Sequence, residues 1–302
     1  MTKTRKILLG GFGAYLVLTV LAFIVFGSAG RNEDFAPQDE FTLYTWINLP
    51  GSLDINKAVL YLVLSGILTI GTMLYVSKRM QERPNRVQTA VEWLYTAMRD
   101  NITRGNMSDK MAATWFPFIG ALFLFIWFSN MIGYLPLPTN TEHTVDIFGL
   151  QVPSLALYAA TANLSVPLAL TLVVWFSYHV VGVKNHGVIG YLKTWVPAGV
   201  EGPATGPIFL IEVISHFVRL VSLSVRLFAN ILAGHLLILF MGGGLVVLLN
   251  LAFVGSLVLG LITGTMAIAF FLFEVGLVAT LQAFIFATLT SIYLGAAASE
   301  SH

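Results

Sequence analysis

The 302-residue chain has no cysteine, which excludes disulfides, thiolate zinc and iron–sulfur centres while leaving the redox compartment open. Charge is also scarce. Asp, Glu, Lys and Arg make up 10% of the residues, where soluble domains carry about 25%. Polar faces are missing from the long apolar runs, and the mean hydropathy is +0.81. A soluble fold needs such faces, so lipid is the solvent for most of these side chains and a bundle of spanning helices is the expected architecture. No GxGxxG follows a strand, and neither GxxxxGK[ST] nor HExxH occurs, so no nucleotide, cofactor or metal site is expected. A net charge of +1 offers nothing to nucleic acid.

What is present is a series of apolar stretches. The first, residues 7–29 behind a basic MTKTRK, reads as an extra span or a signal-like segment, and retention as a span is favoured. An acidic stretch at 30–57 follows, then spans at about 58–77, 113–135 and 152–180. A short loop with Glu142, His143 and Asp146 precedes the last of these, and a loop with Lys184 and Lys193 follows it to Pro207. Two longer stretches, 208–250 and 256–297, exceed one perpendicular crossing of about 20 residues. They must tilt or break, and Gly242–Gly244 is the natural place for the first to loosen. Between the second and third spans, Val87, Val91, Leu94, Tyr95, Met98 and Ile102 recur at helical spacing amid Arg86, Arg99 and Arg104. That pattern predicts an interfacial amphipathic helix over 86–105.

The fold class is therefore all-α and polytopic. It has five to six spanning helices, two long tilted C-terminal helices and one interfacial helix. The parts are an N-terminal hydrophobic segment 1–30, a region of outside segment, spans and interfacial helix at 31–207, and a long helix pair at 208–302. With the N-terminus inside, twelve of the sixteen Lys and Arg lie in inside segments and two, Arg31 and Lys57, lie outside. Six spans with both termini inside satisfy this bias; cleavage of the first leaves five and an outside N-terminus.

The two remaining arginines, Arg219 and Arg226, stand inside an apolar helix, where a charge costs about 2.5 kcal/mol or more. At 100° per residue, Glu212, His216, Arg219, Ser222, Arg226 and Asn230 occupy about 120° of that helix, whereas His235 falls off the stripe. One polar file and one separate imidazole suggest two aqueous environments. Small residues Ser224, Ala229 and Ala233 near Arg226 permit a close protein neighbour. The second long stretch carries a lone acid, Glu274, for which His235 is a sensible partner, and Gln282 eight residues on. The plainer reading, ion pairs as packing glue, suits Glu212 and Arg219, whose heads can snorkel; it suits Arg226 least. His143, His179, His186 and His302 lie at or beyond the edges of the apolar cores and are assigned no chemistry.

SVRLFANILAGHLL at 224–237 resembles the signature of subunit a of the F-type ATP synthase, and LQAFIFATLTSIY at 281–293 resembles that family's final helix. The resemblance spans roughly 40–297 and includes NMIGYLPLP at 130–138. It implies a stator without chemistry on ATP, in a bacterial plasma membrane. Its partners would be the c-subunit ring, the peripheral stalk b subunits and the remainder of Fo and F1, besides lipid. By the same resemblance Arg226 matches the essential stator arginine, Asn230 the polar residue one turn on and Gln282 the final-helix glutamine. His235 and Glu274 match the outside half-channel, and Glu212 and Arg219 the inside one; His216 joins the candidate proton path by its place on the stripe alone. One departure stands out: the family acid precedes the glutamine by seven residues, here by eight. In a plain helix that turns the acid by about 100° unless a bulge restores its direction. A self-contained secondary transporter or channel is the rival class, against which no inverted repeat is visible between the halves.

Overall fold

A computed structural model describes residues 41–48, 54–79, 85–147, 149–196, 202–249 and 253–299, with position 200 and isolated positions between 13 and 21. The apolar run 7–29 and the acidic residues Glu33 to Glu40 thus lie almost wholly outside the described residues. A short pairing of β1 (Thr45–Ile47) with β2 (Ile55–Asn56) leads into α1 (Lys57–Arg79), and α2 (Arg86–Ala97) follows. A π turn at Met98–Thr103 separates α2 from α3 (Asp109–Gly133). Next come β3 (Leu137–Ile147), β4 (Leu150–Ala156), α4 (Ser165–Thr194) and α5 (Thr205–Leu239). A π turn at Phe240–Gly244 joins α5 to the short α6 (Leu245–Leu249). α7 (Phe253–Phe273) and α8 (Ala279–Ala298) flank a third π turn, Glu274–Val278. Five helical stretches among the described residues are long and apolar enough to cross a bilayer: 57–78, 109–133, 165–194, 202–247 and 255–298.

Three differences from the sequence reading have local causes. The loop expected around Glu142 and Asp146 is a β-hairpin, and the span expected from 152 begins at Ser165. Val145 pairs with Val152 and Ile147 with Leu150, while the Gly149 N–H donates to the Asp146 carboxylate (2.7 Å) at a positive-φ turn. β-branched residues beside an Asp-to-Gly turn favour strands over a helix start. The loop expected to carry Lys184 and Lys193 is helical to Thr194, broken only at Gly187 (φ +71°). The π turn Met98–Thr103 ends α2 earlier than the 86–105 pattern suggests. Trp93 and Tyr95 on α2 are exposed, while Met98 and Ile102 are buried. The break expected at the triple glycine is present, with Gly243 at φ +156°.

The core of the 43–232 and 278–302 unit is built on α3 and α8, and several of its polar groups bond across elements. Asn130 donates to the Ala279 carbonyl (3.2 Å) and accepts from the Thr161 hydroxyl (2.7 Å). The Trp127 indole donates to Thr280 (3.1 Å), and Ser291 donates to the Ile102 carbonyl (2.8 Å). In lipid an unmet polar group costs several kcal/mol by order of magnitude, so these bonds set which faces meet. Close approach needs small residues too. A methyl at Gly133 would strike Ala159, and one at Gly295 would strike the Asn106 carbonyl.

Candidate functional site

α5 carries the polar stripe. It is a continuous helix of 35 residues, and its single-helix geometry brings the first members together. Glu212 accepts from the Arg219 guanidinium at 2.8 Å, two turns on, and its Oε1 lies 3.8 Å from His216 Nε2. The other His216 nitrogen, Nδ1, lies 3.0 Å from the Tyr178 hydroxyl of α4. From α8, the Tyr293 ring lies 5.8 Å from the Arg219 guanidinium carbon. Glu212 and Arg219 are half-buried and His216 is buried.

Farther along α5 the stripe turns outward. Ser222, Arg226, Ala229, Asn230 and Ala233 are exposed, while Ser224 is buried and donates to the Leu220 and Val221 carbonyls. Arg226 therefore differs from Arg219: among the described residues no carboxylate lies within ion-pair distance of it. It closes an open groove of about 570 Å³ whose other walls are Ile214, Phe217, Val218, Val221, Ser222 and Val225. One uncompensated cation on an apolar, accessible helix face is a poor packing device. It suits an anion that comes and goes. Gln282, on α8, is buried.

The 233–277 unit holds the other two candidates. His235 is buried, and so is Glu274, which opens the π turn Glu274–Val278. The Glu274 carboxylate sits directly over the bare Cα of Gly234, where an added Cβ would come within 2.6 Å of Oε1. The acid is thereby brought to the residue that precedes His235 in the chain. A π turn takes one residue more than an α turn, so eight residues that include it repeat the angular setting of seven in a plain α-helix.

The structure adds residues to which the sequence assigned no chemistry. His179 is not an edge residue: its Nδ1 lies 2.8 Å from the Tyr191 hydroxyl, and its ring centre is 5.0 Å from that of His216. Trp195 lies against both imidazoles, with ring centres 4.4 Å from His216 and 5.9 Å from His179. Tyr178 and His179 stand consecutively in YH and offered a weak signal. Tyr191 offered none, because only the reversal at Gly187 returns it to His179.

The family model described as ATP synthase A chain matches residues 59–295. ATP synthase subunit a of Maricaulis maris is 35% identical over 253 residues, 83% of this chain and 91% of that protein. The corresponding protein of Parvibaculum lavamentivorans is 34% identical over 274 residues, 88% of this chain and 94% of that one. ATP synthase subunit a of Rubrobacter xylanophilus is 32% identical over 255 residues, 83% and 88% of the two chains.

Proposed function

Because this chain belongs to the ATP synthase A chain family, we propose that it is the proton-conducting stator of the membrane sector, offering two offset half-channels to a ring of c subunits. The observation that carries the reading is Arg226, exposed on α5 with no carboxylate partner among the described residues. On one continuous helix it lies fourteen residues beyond Glu212 and nine before His235.

In this reading a proton enters from outside by way of His235 and Glu274 and neutralises a c-ring carboxylate. After nearly a full turn the carboxylate reaches the Glu212, His216 and Arg219 cluster and releases the proton inside. Arg226 stands between the two paths, with Asn230 and Gln282 as its polar company. A guanidinium 4 Å from a carboxylate stabilises the ionised form by about 4 kcal/mol at an effective dielectric near 20. That is roughly a thousandfold bias toward the anion as it passes. The same charge repels a proton moving directly from one path to the other, so transport requires rotation. The exposed apolar groove beside Arg226 suits an apolar helix of the ring, and Ala229 and Ala233 let it come close. The basic inside segments place the hairpin β3–β4 outside and Lys184 and Lys193 inside. That the relatives are bacterial supports a plasma-membrane location for this stator, beside the b stalk and the rest of Fo and F1.

Arg226→Ala in reconstituted whole enzyme tests this. The complex is expected to assemble and to lose both proton-driven synthesis and ATP-driven pumping, with passive leak retained or raised. Lysine keeps the charge but not the planar fork, and is expected to fail in coupling with less leak. Coupled synthesis by assembled Arg226→Ala enzyme would return the residue to a packing role.

A further inference from the structure

A cavity of about 290 Å³ lies where the two segments of α4 meet the start of α5, and Arg226 does not line it. Trp175, His179, Tyr191, Trp195 and His216 line it, and the exposed Val188 and Leu192 stand at its rim. Building on the stator reading above, we propose that His179 and His216 form an imidazole relay that carries protons between Glu212 and this cavity, with Tyr178 and Tyr191 as positioning residues.

Each imidazole has its Nδ1 occupied by a tyrosine hydroxyl, His216 by Tyr178 at 3.0 Å and His179 by Tyr191 at 2.8 Å. A hydrogen bond on one ring nitrogen sets which nitrogen stays free to exchange. With Nδ1–H donated to the hydroxyl, Nε2 is the exchanging atom on both rings. His216 Nε2 already lies 3.8 Å from the Glu212 carboxylate. The steps balance without a co-reactant. A proton on Glu212 moves to His216 Nε2, leaving a carboxylate and an imidazolium. The imidazolium gives that proton to His179, whose ring centre lies 5.0 Å from its own, and returns to its neutral form. His179 then releases it to water at the cavity, so both rings end as they began. Two imidazolium ions this close, with Arg219 alongside, repel each other, so the pair holds one proton at a time and passes it on.

Two glycines make the arrangement attainable. Gly187 takes φ +71°, which reverses the chain after the main part of α4. A methyl on Gly182 would fall within the Tyr191 ring, so the bare backbone there is the seat that lets the phenol reach His179. An aromatic wall needed only for packing would require neither hydroxyl on an imidazole.

The test uses the whole enzyme reconstituted in vesicles, with His179→Gln, which keeps a hydrogen-bonding partner for Tyr191 but carries no proton, and His179→Ala. Both variants are expected to assemble at parental abundance and to lose several-fold in proton-driven synthesis and ATP-driven pumping. Free imidazole is expected to restore flux to His179→Ala, whereas pyrazole, of the same size but much less basic, is not. Flux by His179→Gln within twofold of the parent, equal rescue by both azoles, or a loss of abundance that matches the loss of flux would each overturn the relay. Arg226→Ala measured in the same vesicles separates the two ideas. If it stays coupled, the stator reading fails; if it is uncoupled while His179→Gln is not, only the relay fails.

Discussion

Deleting Gly276 is expected to leave the enzyme working, which is unusual for a residue removed from the middle of a membrane helix. Each residue of an α-helix adds 100° and 1.5 Å. The π turn Glu274–Val278 holds one residue beyond an α-helical turn. Removal of Gly276 allows that turn to close as regular α-helix, and Glu274 then precedes the glutamine by seven residues with its direction unchanged. Inserting one alanine after Ala279, in the regular helix α8, has the opposite effect, because nothing there absorbs the 100°. With Cα atoms at a radius of about 2.3 Å and a glutamate reach of roughly 4 Å, the carboxylate sweeps about 10 Å. Its direction relative to α8 would be lost. Proton-driven synthesis and ATP-driven acidification in inverted vesicles, with subunit abundance from the same membranes, measure the outcome. Most of the parental flux is expected for the Gly276 deletion and none above background for the insertion. An assembled but inactive deletion, or an insertion that works as well as the parent, would refute the claim that the π turn exists to aim Glu274.

Gly182→Ala drives a methyl into the Tyr191 ring and is expected to cost about 1–3 kcal/mol, read as a lower unfolding temperature in detergent; an unchanged transition would mean the reversal at Gly187 is not packed as described. Asp100 is held below the ordinary carboxylate range, first by the hydrogen bond from Arg99 and, against burial, by the charges of Arg99 and Arg104. Its depressed value means that the interaction is present above the unfolded carboxylate range and lost as pH falls through the folded value. Arg99→Gln is expected to raise the midpoint of Asp100 in isotope-edited infrared titration, and an unmoved midpoint would remove Arg99 as the cause. A single cysteine replacing Asp146, at the hairpin turn, is expected to react with an impermeant reagent from the outside alone, and reaction only from the cytoplasm would invert the topology.

Much of this protein was legible without coordinates, for reasons rooted in the bilayer. Scarce charge and long apolar runs demand spanning helices, because backbone groups in lipid must bond within their own segment. The α5 stripe was equally legible. Residues on one helix keep a fixed angular relation, so the Glu212, His216 and Arg219 contacts follow from spacings of four and seven. At the hairpin, the β-branched residues and the Asp146-to-Gly149 turn, both local cues, outweigh the apolar count.

Other features needed the chain folded on itself. The bond between His179 and Tyr191 depends on a reversal at Gly187 and a bare Gly182, and neither glycine announces its partner twelve residues or fewer away. The contrast between Arg219 and Arg226, one paired and the other exposed without a carboxylate among the described residues, arises because Arg219 reaches Glu212, whereas Arg226 stands on the open face of a helix whose other face is buried through Leu223, Leu227 and Ile231. The eight-residue interval from Glu274 to Gln282 raised the need for a bulge, but only the fold showed the π turn at Glu274–Val278. Composition and period determined which segments are helices and which residues share a face, since those depend on backbone hydrogen bonding and local geometry. Only tertiary packing decided which faces are covered and which glycine receives which side chain, because close contact depends on shape at distances the period of a helix does not encode.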